Sequence, residues 1–172
     1  MMIRYMLCAS LSSWLLIACG GGDRMVESRA YDALLRQLVP KSAPVLGVKA
    51  AARRDDLQYL DARAREEYEV SHLPQARWVG YDTFDSSQVA TLDPQQPLLV
   101  YCSVGYRSGK IAETLQQMGF QEVYNLYGGL FEWANQGLPL YDAQEQPTDS
   151  VHGYSRSWGI WVKKGEVVYP KK

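Results

Sequence analysis

Leu98-Leu99-Val100-Tyr101-Cys102-Ser103-Val104-Gly105-Tyr106-Arg107-Ser108 decides how this chain folds, because an apolar run stops at a cysteine and a helical pattern begins soon after it. Residues 97–101 open on a proline and are short, apolar and β-prone, which predicts a buried strand of a parallel sheet. Ile111, Leu115 and Met118 recur at helical spacing and predict a helix over 108–118, with Ser108 as its N-cap and Gly119 as its stop. The loop between runs from Cys102 to Arg107.

A tight strand-to-helix loop turns successive backbone N–H groups inward and forms an anion nest at the positive end of the helix dipole. Ser103, Val104, Gly105, Tyr106 and Ser108 would build that nest, and Gly105 lets the backbone close around a bound atom. A thiol at its mouth ionises easily: free cysteine titrates near about 8.5, and a helix N-terminus with a guanidinium nearby lowers this to roughly 3.5–7.5. Arg107, always charged, is the expected anion-binding group beside the sulfur. The alternative is that Cys102 is an inert core residue, as unpaired cysteines often are.

The chain has 172 residues, with 18 Lys and Arg against 19 Asp and Glu, a formal charge of −1 that becomes −2 if Arg4 leaves with a leader. That balance shows neither a nucleic-acid footprint nor a polybasic membrane patch. Residues 1–18 read as a removable export signal: Arg4 is the positive n-region, and the apolar stretch 7–18 is too short to span a bilayer as a helix. Leu16-Ile17-Ala18-Cys19 resembles the lipobox of bacterial lipoproteins. The resemblance implies cleavage before Cys19 and its lipidation, with residues 19–26 as a tether facing the periplasm. Gly20, where retention in the inner membrane calls for Asp, implies the outer membrane.

The chain's three cysteines then separate by fate. Cys8 leaves with the signal, Cys19 carries lipid, and Cys102 alone remains a thiol. Exported proteins normally pair their cysteines, so a lone one points to chemistry. No Cys and His cluster has metal-ligand spacing, so neither metal nor other cofactor is expected. The oligomeric state is not legible.

Alternation organises the rest. Tyr31, Leu34, Leu35 and Leu38 share one face of a helix over 27–38, which Pro40 ends. Strands are expected at 45–48, 57–60, 76–79, 98–101 and 122–126, and helical patterns at 63–70, 86–91, 108–118 and 130–136. This predicts an α/β fold with a parallel sheet of about five strands and helices on both faces. Residues 27–141 form the domain and 142–172 an extension. There, 144–150 read as a polar connection, and 159–162 and 167–169 as a β-hairpin docked through Trp158, Trp161 and Tyr169.

Three segments together resemble the rhodanese-like domain of sulfurtransferases, over roughly residues 40–141. Asp61-Ala62-Arg63, with Glu67-Tyr68 and Ser71-His72-Leu73-Pro74-Gln75-Ala76, resembles the entry motif. Cys102 to Ser108 resembles the active-site loop, and Gly128-Gly129 with Trp133, Gly137 and Pro139 the closing motif. Ser71 and Gln75 stand where the family often has glycine, and Tyr106 is bulky for the loop. The resemblance implies a catalytic Cys102 that takes sulfane sulfur from thiosulfate or a persulfide and passes it to a thiol or cyanide. It also implies loop amides that stabilise the persulfide and an Arg107 that orients an anionic donor.

Two other readings stand beside this one. Cysteine-dependent phosphatases and arsenate reductases use an anion nest too, but in the phosphatases that share this fold one more residue separates cysteine from arginine. A noncatalytic periplasmic docking module would keep the fold without the chemistry. Among the remaining candidates, Asp61 is expected to cap a loop or pair with an arginine. Arg63 and Glu67, at i and i+4, are expected to form a pair on a helix surface, and His72 to fix its loop by hydrogen bonds. His152 and Arg156 lie beyond the resemblance, and the tail carrying them is expected either to fold over Cys102 and bind an anionic donor or simply to pack.

Overall fold

The computed structural model describes residues 25–169. The expected signal segment 1–18 and Cys19 lie outside the described residues. Among those described, no helix is long and apolar enough to cross a membrane.

The elements follow in the order α1 (Arg29–Leu38), β1 (Val45–Gly47), α2 (Val48–Ala51), β2 (Gln58–Asp61), α3 (Arg65–Val70) and β3 (Arg77–Trp78). After a 3-10 turn at Ser86–Gln88 come β4 (Leu98–Tyr101), α4 (Tyr106–Gln117), β5 (Val123–Tyr127) and α5 (Gly129–Asn135). The extension then adds β6 (Leu140–Tyr141), β7 (Pro147–Thr148), β8 (Ser150–His152), α6 (Arg156–Gly159) and β9 (Glu166–Val168). The first five strands make one parallel sheet in the order β1-β5-β4-β2-β3. This is the expected five-stranded architecture, with β4 at its centre.

β4 shows why its sequence is apolar throughout. All four of its residues are buried, and successive side chains point to opposite faces. Leu99 and Tyr101 join a core with Tyr31 and Leu35 of α1, Val48 of α2 and Leu130 and Phe131 of α5. Leu98 and Val100 join a second core with Ile111, Ala112 and Leu115 of α4. A strand covered on both sides has no polar face to display.

Some expectations change in the structure. The helix after Cys102 starts at Tyr106, not at Ser108, because Gly105 at φ +113° serves as N-cap and Ser108 lies inside the first turns. Ser108 spends its hydroxyl proton on Asn125 Oδ1 at 2.7 Å. The 86–91 pattern yields only the 3-10 turn, and residues 48–51, partly read as strand, form α2. Gln75 has φ +55°, the left-handed backbone that glycine adopts freely. That is the physical reason for a glycine preference at this position.

The C-terminal hairpin is the main correction. β9 pairs in parallel with β8, Val151 opposite Val167, while 156–159 form the short helix α6. Residues 159–163 are held elsewhere: Trp161 stacks on Tyr31 with ring centroids 5.1 Å apart, and Asn135 receives the Lys163 N–H at 2.6 Å and donates to the Trp161 carbonyl at 2.9 Å. A hairpin does exist, but earlier, where β6 pairs antiparallel with β7 around Asp142. The region read as a polar connection therefore contains strands.

Candidate active site

Cys102 follows directly on β4, and its loop is shaped by what its carbonyls bind. The N-terminus of α5 donates Leu130 N–H to the Cys102 carbonyl at 2.9 Å and Phe131 N–H to the Ser103 carbonyl at 3.1 Å. Asn125 Nδ2 donates to the Gly105 carbonyl at 2.8 Å. In a trans peptide the N–H points opposite to the carbonyl, so the N–H groups of Ser103 and Val104 face away from α5. The Gly105 N–H closes the cup on Cys102 Sγ at 3.1 Å.

The double glycine makes this approach possible. Gly128 and Gly129 have φ of +84° and +58°, and a Cβ on Gly129 would collide with the carbonyls of Cys102 and Ser103. Asn125 is a buried amide in an otherwise apolar strand. That interruption is the signal that could have marked it as a support of the loop.

Arg107 is placed beside the sulfur, and it has a partner the sequence did not suggest. Its Nη1 and Nη2 donate to Glu67 Oε2 and Oε1 at 2.6 and 2.9 Å. Ser103 Oγ donates to Oε1 at 2.9 Å, and Ala64 N–H to Oε2 at 3.1 Å. Glu67 thus fixes Arg107 and Ser103 at once. Burial pushes the Glu67 carboxyl up, but the hydrogen-bonded Arg107 outweighs this and holds it at about 2. Its stabilising contribution is present above the ordinary carboxylate value near about 4.3 and is lost as pH falls through about 2.

The expected Arg63–Glu67 surface pair does not form. Arg63 lies before α3 and is wholly buried, gripping Asp61 through Nη2 to Oδ2 at 2.6 Å and Nε to Oδ1 at 3.0 Å, and donating to the Ser71 carbonyl at 2.6 Å. The helical i, i+4 rule fails because Arg63 is not in the helix. Asp61 takes the arginine-pairing role expected of it, and also accepts the Arg63 N–H at 2.8 Å. His72 fixes its loop as expected, through Tyr68 O at 3.1 Å and Glu145 at 3.2 Å.

Above Cys102 opens a cavity of about 530 Å³ whose wall includes Glu67, Arg107 and, from the C-terminal extension, His152, Tyr154 and Trp158. Cys102 is 1% exposed and lines it, so a reactant must enter the cavity to reach the sulfur. The tail does fold over the cysteine. His152 reaches the cavity wall, with Nδ1 accepting the Tyr154 N–H at 3.1 Å, whereas Arg156 sits over the Tyr169 ring, 5.7 Å from its centroid. Burial lowers the His152 imidazole below its usual range. Tyr154 covers the Arg107 guanidinium at 5.1 Å and was not legible as part of the site.

Burial pushes the Cys102 thiol up, but the Arg107 charge, the Ser108 side chain and the N–H groups of Ser108 and Gly105 outweigh this and hold it below its ordinary range. Thiolate appears as pH rises through the depressed value, so iodoacetamide labelling of Cys102 should show its inflection below about 8.5. An inflection at or above that value would contradict the electrostatics of the cup. Among the described residues, no group of three or more His, Cys, Asp or Glu side chains is placed to hold a metal ion.

Comparison with known proteins agrees with this geometry. The family model of the rhodanese-like domain matches residues 47–136. A tRNA uridine(34) hydroxylase of Sodalis glossinidius is 33% identical over 102 residues, covering 54% of this chain and 29% of that protein. A chloroplastic rhodanese-like/PpiC domain-containing protein of Arabidopsis thaliana is 36% identical over 98 residues, covering 51% and 31%. The chain thus spans less than a third of the length of these relatives. Among solved structures, a thiosulfate sulfurtransferase from Pseudomonas aeruginosa aligns with a TM-score of 0.52 at 22% identity, over 70% of this chain and 23% of that one. A rhodanese-like domain from Anabaena aligns at 0.50 and 23% identity, over 56% and 73%. The structural likenesses speak for the fold, the family match covers just over half of the chain, and on that ground the chain belongs to the rhodanese-like domain family.

Proposed function

We propose that the protein is a sulfurtransferase that carries sulfane sulfur as a persulfide on Cys102. The observation that carries this reading is the cup itself: a thiol at the floor of a cavity, held below its ordinary range beside Arg107 and accepting the Gly105 N–H at 3.1 Å. The thiolate attacks the outer sulfur of the donor, and a new S–S bond forms as the old one breaks. With thiosulfate, sulfite leaves with the bonding pair; with an organic persulfide, the thiolate leaves. An acceptor thiolate or cyanide then attacks the outer sulfur of Cys102–S–S⁻ and returns Cys102 as thiolate. The loop N–H groups turned away from α5 are the donors suited to the persulfide anion.

The test is direct. Incubation of the purified protein with thiosulfate or an organic persulfide should add one sulfur, about 32 Da, to the peptide containing Cys102, and cyanide should remove it. A mass unchanged by every donor would end the proposal.

We also propose, from Leu16-Ile17-Ala18-Cys19 and Gly20, that the enzyme works lipid-anchored at the periplasmic face of the outer membrane. Cells fed a radiolabelled fatty acid should label the protein, and Cys19→Ser should abolish labelling. Persistence of label in that variant would refute lipidation at Cys19.

A further inference from the structure

Four ionisable side chains other than Cys102 and His152 carry charge at the cavity wall: Glu66, Glu67, Asp82 and Arg107. Three carboxylates therefore face one guanidinium, and that guanidinium is engaged twice. Glu67 takes both of its terminal nitrogens, and the Tyr154 ring covers its face at 5.1 Å. Other cations near the site are also committed. Arg63 is buried against Asp61, Arg65 bonds Glu69 at 2.9 Å and lies over Tyr68 and Trp78, and Arg156 lies over Tyr169. Burial disfavours a charge on His152. With Arg107 bound to Glu67 and covered by Tyr154, the charges an incoming molecule meets first are the exposed carboxylates of Glu66 and Asp82. The Cys102 thiolate adds a further negative charge below them.

We infer that this cavity takes a small persulfide carrying an ammonium group, an aminothiol persulfide, in preference to thiosulfate. The inference rests on the sulfurtransferase reading and narrows it to a substrate class. A doubly charged anion must pass two carboxylates and reach a thiolate without a free cation to receive it. An ammonium group gains from the same field, and Trp158 at the wall adds an aromatic, apolar surface for its short carbon chain. Glu66 and Asp82 lie within residues 47–136, the span of the family match, whereas Tyr154 and Trp158 come from this chain's own extension. In the transfer the Cys102 thiolate attacks the terminal sulfur of R–S–SH. The Cys102–S bond forms, the original S–S bond breaks, and R–S⁻ leaves with the electron pair while the proton stays on the transferred sulfur.

The test compares rates of Cys102 loading by cysteamine persulfide, the persulfide of 3-mercaptopropionate, and thiosulfate, read by quenched-flow mass spectrometry on the full chain. Cysteamine persulfide should load fastest, by roughly tenfold at low salt, the lower range of electrostatic focusing in a charged cleft. Rising salt should slow the cationic donor and speed both anionic ones. Glu66→Gln with Asp82→Asn should collapse the difference, and Tyr154→Ala should speed thiosulfate by uncovering Arg107. Equal or faster loading by the anions, or a preference untouched by the double substitution, would overturn the inference and leave sulfur transfer standing. Loading by no donor at all would overturn both.

Discussion

Cys102→Ser is expected to reduce sulfur transfer by roughly 10³-fold or more, the scale on which loss of a covalent nucleophile is felt. The hydroxyl fits the same space and can still accept the Gly105 N–H that now reaches Sγ at 3.1 Å. The loop is otherwise held by α5 and Asn125 through carbonyls the substitution does not touch. The fold should thus survive while the chemistry is lost, because a serine hydroxyl is barely ionised at neutral pH and cannot store sulfane sulfur. Turnover of thiosulfate or a persulfide with cyanide, compared at equal circular dichroism, checks this. A variant retaining more than a tenth of the wild-type rate would show that sulfur passes by a route without Cys102.

Asp61→Asn is expected to destabilise the protein by about 3–5 kcal/mol, the range for breaking a fully buried ion pair. Asp61 and Arg63 are both 0% exposed in their side chains. The guanidinium keeps its charge in any environment, so exchanging the carboxylate for an amide leaves a buried cation with neutral partners only at this position, the amide oxygen, the Ser71 carbonyl and the Tyr101 ring at 5.6 Å. Its Nη1 already lacks a partner. Replacing both residues together, Asp61→Leu with Arg63→Met, should cost much less, because the apolar pair leaves no stranded charge. Urea unfolding midpoints measure the contrast. A single substitution costing under about 1 kcal/mol, or a double costing more than the single, would contradict it.

How far the sequence reached varies by element. β4 was legible to the residue, since an apolar tetrad after proline and before a cysteine has few other places to lie. The start of α4 was misread because Ser108 looks like a cap, while Gly105, three residues before it, supplies the left-handed turn that lets the helix begin earlier. The terminal hairpin was misread because two short β-prone runs flanking a glycine look alike whether or not they pair with each other. Trp161 had a better partner in Tyr31, far away in the chain.

By itself, the amino-acid order determined the parts that depend on neighbours in the chain: the buried strand, the cysteine loop that follows it, the double glycine, and through these the family. Tertiary structure alone decided which charges meet. Arg107 finds Glu67 forty positions away, Arg63 turns from Glu67 to Asp61, and Tyr154 comes from the far end to cover the guanidinium. The physical reason is that a charge interacts with whatever the folded chain brings within a few ångströms, and burial then multiplies the consequence. Spacing along a sequence measures neither.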